Sequence, residues 1–257
     1  MRHPVISLTT DFGAADHYVG VMKAVILGIA PGARIVDVSH EVRPFEVTDG
    51  AWLIAQAYRS FPPGTVHVVV VDPGVGSARR PILLEAAGQY FVAPDNGVLA
   101  MIYARQKHRV RAISNQRYFR RPVSRTFHGR DIFAPVAAHL AAGVAPARMG
   151  PRIVDSARPS FASPSQTGAR TWAGEILHID HFGNVITNFH VDEFPGLEQL
   201  SMGRSKARRL LASYAEARPG ELFAIVGSSG YLEVSLNQGS AAKKIGCASG
   251  DACQIRV

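Results

Sequence analysis

The 257-residue chain is 47% hydrophobic and carries 28 Lys plus Arg against 20 Asp plus Glu, a formal net charge of +8. Such a chain fills one large core or two modest ones without covalent staples, and its two cysteines, Cys247 and Cys253, have the spacing of neither a CxxC redox pair nor a zinc-ligand set. No apolar stretch approaches the ~20 residues of a membrane span, and the N-terminus lacks the order of a secretory signal, so a cytoplasmic protein with free thiols is expected.

In chain order, "VISLTT" reads as a strand, and the residues from Asp16 to Ala33 place apolar groups every three or four positions until Pro31-Gly32 stops them. "RIVDVS" is a second strand, and "EVTDGAWLIAQAYRSFPPG" a helix with Thr48 as its N-cap. "TVHVVVVD" is apolar enough for the middle of a sheet, "PILLEA" and "QYFVAPD" follow as strands, and "GVLAMIYARQ" is helical. This alternation predicts an α/β N-terminal domain over 1–158, Rossmann-like, with a mostly parallel sheet and flanking helices. Periodicity is lost as Pro and Ser accumulate, giving a linker over 159–171. Short apolar runs then predict a smaller all-β C-terminal barrel over 172–257, with one helix near "KARRLLASYAEA".

The excess of base makes nucleic acid a partner to consider. The densest stretch, "QRYFRRPVSR" at 116–125, is short and stands alone, so a solvated loop accounts for it and no nucleic-acid partner is expected.

Chemistry concentrates at strand ends. Asp11, Asp37 and Asp72 each follow an apolar run, where a carboxylate either caps a turn or points into the crevice of an open α/β sheet. Asp37 is better explained structurally, whereas Asp11 could accept both hydroxyls of a ribose. In "VDPGVGSARR" the glycines match neither a P-loop nor a dinucleotide fingerprint. The loop does let Arg79, seven residues on, fold back against Asp72 and hold it ionised. "TFHGRDIFAP" places His128 beside a charged pair and before a helix; alone, it reads more readily as a satisfied or exposed loop histidine. "HIDHFGNVITNF" reads as a hairpin in which Asp180 and Asn184 are turn residues or pocket-lining groups, and "GSSGYLEVSL" as a turn before a strand.

Taken together and in this order, "TTDFG", "VDPGVGSARR", "FHGRDIFAP", "HIDHFGNVITNF" and "GSSGYLEVSL" resemble the S-adenosylmethionine (SAM) hydrolases, also called SAM hydroxide adenosyltransferases, relatives of the SAM-dependent fluorinases and chlorinases. The resemblance implies an α/β domain joined to a β-barrel, assembled as a homotrimer with substrate between neighbouring subunits. It implies hydrolysis of SAM to adenosine and methionine, with water as nucleophile and no cofactor or metal. Asp72, Arg79 and His128 match the catalytic triad, and Asp11 the group on the ribose diol. Asp180 matches the position holding the methionine amino group, and Asn184, Phe189, Ser228 and Glu233 match positions around the nucleoside. Phe45 falls where halogenases have a Trp beside the sugar. Two departures separate the chain from the halogenases. Asp72 and Val75 replace a Tyr and a hydroxyl residue, which disfavours a halide, and Ser229 replaces an Arg near the adenine. The remaining alternatives are a chlorinase-like enzyme and a SAM- or adenosine-binding module whose hydrolysis is incidental.

Overall fold

The computed structural model describes residues 3–159, 161 and 163–257, and the chain divides into two compact units, Met1–Arg158 and Pro159–Val257. In the first, strands β1 (Val5–Thr10), β2 (Arg34–Ser39), β3 (Val66–Val70), β4 (Pro81–Ala86), β5 (Gln89–Pro94), β6 (His108–Ala112) and β7 (Arg152–Ile153) form one sheet in the order β2-β1-β3-β5-β4-β6-β7. The pairings β1–β2, β1–β3 and β3–β5 are parallel. Those of β4 with β5 and β6, and of β6 with β7, are antiparallel. The sheet is therefore mixed rather than mostly parallel, and the reason is local. Ala87 and Gly88 both have positive φ, 52° and 72°, making a two-residue hairpin that forces β4 and β5 to run in opposite directions.

Helices α1 (Tyr18–Ile29) and α4 (Ala134–Ala141) pack on one face of this sheet, burying Met22, Ile26, Val136 and Ala137 against Ile6, Leu8, Val66 and Val68. Helices α2 (Val47–Ala57) and α3 (Ala100–Arg105) pack together, with α2 against β1, β2 and β3. Gly50 of α2 lies so near Val71 and Val98 that a side chain there would not fit without movement. The N-cap of α2 is Glu46, not Thr48, and it makes no side-chain cap bond. The basic run 116–125 does not present its aromatic rings for stacking on bases: Tyr118 is buried and Phe119 packs against the same core. Among the described residues no helix is long and apolar enough to cross a membrane.

The second unit holds strands β8 (Ser165–Gly168), β9 (Thr171–Ile179), β10 (Val185–His190), β11 (Gln199–Met202), β12 (Ser205–Ala207), β13 (Leu210–Leu211), β14 (Leu222–Val226), β15 (Tyr231–Leu236) and β16 (Ala252–Arg256), with one short helix, α5 (Ala241–Ile245). Their path is β12-β11-β16-β9-β10-β15-β14-β13, with β8 beside β9. Near the two ends of the path β12 packs against β14, so the sheet is nearly barrel-shaped around Ile176, Phe189, Leu200, Leu232 and Ile255. Two expectations are corrected here. The segment 159–171 contains β8 and the start of β9. The stretch 206–217 holds the end of β12, then β13 and a 3-10 turn at Tyr214–Glu216, and no α-helix. Leu210 points outward and Leu211 inward, the period of a strand, and Leu211 joins Ala217, Phe223 and Ile225 in a small second cluster.

A buried polar strut crosses the first sheet. Ser7 donates to His67 Nδ1 (2.6 Å), and His67 Nε2 donates to Gln89 Oε1 (2.9 Å). Gln89 Nε2 in turn donates to the Phe61 carbonyl at 2.8 Å. His67 stacks on Phe91 at 4.7 Å. Burial pushes its imidazole down to about 4, against a smaller opposing effect of the Gln89 bond. An unfolded chain would take up that proton near pH 6.5, so the stability contributed by neutral His67 is complete above about pH 6.5 and falls as pH drops toward about 4. Over the whole window the loss is on the order of 3 kcal/mol. Its ring resonances are expected to keep neutral-form shifts down to about pH 5, and the stability of His67→Asn to vary less with acid than that of the wild type.

Candidate active site

From β1 the chain turns to β2 on one side and then to β3 on the other, so the C-terminal ends of β1 and β3 flank a topological switch point, where open α/β sheets leave a binding crevice. Thr10 and Val70 are partners in register, and Asp11 and Asp72 follow just beyond them. After Asp72 the chain makes a tight double turn, Val75 N–H to the Asp72 carbonyl (3.2 Å) and Ser77 N–H to that of Gly74 (3.1 Å). Gly76 has φ +78°, and the Arg125 carbonyl occupies the place of any Cβ, so glycine is required by both backbone and space. The turns return Arg79 to Asp72. Its Nε donates to Asp72 Oδ1 at 3.0 Å, and its Nη2 donates to Oδ2. Arg80 goes elsewhere, to Asp95 (2.8 Å) and Asp155 (3.0 Å), so the two adjacent arginines have different work.

Arg79 Nη2 also lies 2.7 Å from His128 Nδ1. A guanidinium only donates, so Nδ1 accepts and the neutral imidazole carries its proton on Nε2. Burial, and then the Arg79 charge, hold the His128 pKa below its ordinary value, while Asp72 and Asp131 oppose them. Side-chain exposure is 5% for Asp72 and 9% for Arg79, and the guanidinium sits 5.3 Å over the Phe133 ring. Arg79 Nη1 is buried with no hydrogen-bond partner among the described residues.

A cavity of about 400 Å³ opens beside this group. Asp11, Asp72 and His128 supply its polar wall, and Phe12, Tyr18 and Phe127 the aromatic one, with ring centroids 5.2–6.0 Å apart. Val75 and Phe45 also line it. Asp11 Oδ2 accepts from the Phe45 N–H at 3.0 Å, and Phe45 has φ +70° with its side chain 70% exposed. Burial raises the Asp11 pKa, Phe45 and backbone bonds oppose, and the Asp72 charge adds a smaller push upward. Asp37 lies outside this wall, paired with Lys23 (2.6 Å) and near His40 (3.0 Å). Sequence alone marks Phe12 and Phe127 only by their adjacency to Asp11 and His128, and Tyr18, at the start of α1, not at all.

In the second unit, Asp180 Oδ1 accepts from the N–H groups of Phe182 and Asn184, both at 2.9 Å, and Oδ2 accepts from Asn184 Nδ2 at 2.9 Å. Tyr214, whose segment had read as helix, brings its hydroxyl within 3.5 Å of Asn184 Nδ2. Leu232 and Val234 enter the core, so Glu233 faces the opposite side of β15. Gly227 passes against its carboxylate so closely that a Cβ there would overlap it. Ser228 is exposed at the tip of the β14–β15 hairpin. Phe189 is fully buried, its ring edge-on to Phe194 at 5.3 Å, and belongs to the core of this unit. Among the described residues no group of three or more His, Cys, Asp or Glu has the arrangement of a metal site.

The chain is thus a two-unit α/β protein with mixed sheets, whose first unit offers an enzyme-like cavity: a carboxylate, a guanidinium and an imidazole in one hydrogen-bonded group, with a second carboxylate nearby. Residues 6–150 match the model of the SAM hydroxide adenosyltransferase N-terminal domain, and residues 174–254 that of the C-terminal domain. The chain belongs to this family. An (R)-S-adenosyl-L-methionine hydrolase of Salinispora tropica is 40% identical over 259 residues, covering 98% of this chain and 97% of its own. A fluorinase of an Actinoplanes species is more distant, 30% identical over 275 residues and covering 91% of each chain. The crystal structure of a conserved, uncharacterized protein from Thermotoga maritima superposes with a TM-score of 0.88 at 39% identity, covering 98% of this chain and 100% of that one.

Burial, with the Asp180 charge adding to it, pushes the Glu233 carboxyl from 4.5 to about 7. The folded chain therefore holds this proton more tightly than the unfolded one, and the associated stability is complete below about pH 4.5 and is lost as pH rises through about 7. Glu233→Gln, which stays neutral, is expected to raise the thermal midpoint relative to wild type at about pH 8 and to change it little at about pH 5.

Proposed function

We propose that the protein hydrolyses S-adenosyl-L-methionine to adenosine and L-methionine by attack of water at the ribose C5′. The observation that carries this reading is the Asp72–Arg79–His128 group, with Asp72 and His128 on the wall of the cavity and Arg79 bonded to both. The hydrolases among the relatives are named for the R form of the substrate, so the R sulfonium epimer is the first to test.

Departure of a neutral thioether from a sulfonium needs no general acid. The site must place a water about 3 Å from C5′ in line with the C–S bond and accept one proton. The water oxygen bonds to C5′, the C5′–S electron pair goes to sulfur, and the nucleoside keeps one water proton on its new 5′-hydroxyl. Because Nδ1 of His128 is occupied by Arg79, its free nitrogen carries a proton and orients the water as a donor. The other proton then passes to Asp72, which Arg79 holds in position, and on to solvent. Asp11 would take the ribose hydroxyls. A buried carboxylate at 72, beside Val75 rather than a hydroxyl, disfavours a halide in the same place.

The same reading extends to the whole protein: a cytoplasmic homotrimer, with a Rossmann-like first unit and a barrel as the second. In it, Asp180, Asn184, Ser228 and Glu233 of a neighbouring copy meet the nucleoside and the methionine.

Incubation of the protein with either sulfonium epimer in water labelled with heavy oxygen is expected to give adenosine carrying the label at O5′ and unlabelled methionine. Tight adenosine retention without turnover would indicate a binding module instead, and chloride-dependent 5′-chloro-5′-deoxyadenosine a halogenase. Asp72→Asn is expected to lower turnover by more than ~100-fold while adenosine still binds within about threefold of wild type. A near-normal rate in that variant would remove Asp72 from the chemistry.

A further inference from the structure

The segment that delivers His128 is not an ordinary helix start. Gly129–Phe133 forms a π-helical turn, the Ala134 N–H reaching back to the Gly129 carbonyl before α4 continues. Such turns are rare and concentrate at functional sites. This one touches the catalytic group at both ends, since His128 caps its start and Phe133 lies beneath the Arg79 guanidinium.

Between those ends sits Asp131, with no exposure at all. Its carboxylate accepts from Arg130 Nε on Oδ1 (2.7 Å) and Nη2 on Oδ2 (2.8 Å), from Arg120 Nη1 (3.2 Å) and from the Ser124 N–H (2.8 Å). Its carbonyl takes the Arg120 N–H at 2.9 Å, and its own N–H reaches the Phe127 carbonyl at 3.2 Å. One residue thus ties the loop 120–127 to the turn. Arg130, fixed by the same carboxylate, lies 5.1 Å over Phe127, an aromatic wall of the cavity. A buried carboxylate is costly unless its oxygens are paired, and these are filled by two arginines and a backbone amide.

We propose that Asp131 is a positioning residue for the hydrolytic site: by tying residues 120–127 to the π turn, its carboxylate holds His128 Nδ1 against Arg79 and the Phe127 ring against the cavity. The proposal rests on the hydrolase reading above. It differs from a purely structural role because the segments it ties together carry the contiguous cavity-lining run 126–129, with His128 at its centre.

The test is Asp131→Asn in the full chain. Asparagine keeps one acceptor for the Ser124 amide but cannot accept from both arginines. The expected result is a fall in kcat for SAM of roughly 10- to 100-fold with KM within about threefold, and loss of the single Nε2–H tautomer of His128 in nitrogen NMR. A folded variant with wild-type kcat and an unchanged His128 tautomer overturns the proposal. If the wild type forms no adenosine, the hydrolase reading fails instead, and the tautomer comparison, which needs no substrate, still decides the role of Asp131. Should Asp131→Asn not fold, Arg130→Gln removes two of the carboxylate's bonds from a partly exposed side. It is expected to lower kcat by roughly 3- to 10-fold with the same NMR change, and unchanged values for both overturn the proposal equally.

Discussion

One guanidinium organises the site. Arg79 can only donate, and it donates to both oxygens of Asp72 and to one nitrogen of His128. That constraint decides several things together: it pairs a nearly buried carboxylate, selects the imidazole tautomer and, through its own charge, helps keep the ring neutral. Two acceptors that would otherwise each have to be satisfied separately are satisfied by one rigid fork. The geometry of Arg79 therefore depends on everything that places it, from the Gly76 turn above to the Phe133 ring beneath.

The first sheet explains why this group faces a cavity. Parallel strands β1 and β3 both end at the switch point, so the residues after them, Asp11 and Asp72, converge without any long loop having to be ordered. The antiparallel continuation through β5, β4 and β6 extends the sheet away from that point. Meanwhile α4, entered through the π turn, covers the face on which α1 also packs. Buried polar groups link these elements: Ser7–His67–Gln89 near the N-terminal ends of β1, β3 and β5, and the Asp131 clamp beside the cavity. Each is fully hydrogen-bonded, as a polar group in a low-dielectric interior must be.

The second unit handles carboxylates differently. Asp180 spends its oxygens on two backbone amides and the Asn184 side chain. Glu233, on the outer face of β15 beside the close approach of Gly227, is held toward its neutral form by burial and by the Asp180 charge. Among the described residues, then, Asp72 pairs with a guanidinium, Asp180 with amides, and Glu233 with neither. A neutral carboxyl can donate a hydrogen bond where an ionised one cannot, so the chemistry each can offer is set by its surroundings.

Much of the architecture is legible in the linear chain because it is locally encoded. β-Branched runs such as "VHVVVV" specify strands whatever surrounds them, Pro-Gly punctuation ends the helices, and Asp at strand ends marks the crevice. Where local signals are weak the sequence does not show the strands: β6, β7, β8 and β11 carry no distinct pattern, and 206–217 reads as helix although Leu210 and Leu211 alternate as in a strand. Periodicity over so short a run cannot separate the two. The order of motifs identified the family and the residues worth examining. The seven-residue spacing already points Arg79 rather than Arg80 toward Asp72; only the tertiary structure decided that His128, 49 residues away in sequence, shares that arginine, and which ring nitrogen is protonated. These are properties of contacts between distant segments, fixed by burial and by the cost of leaving buried polar groups unpaired, and no local pattern of residues contains them.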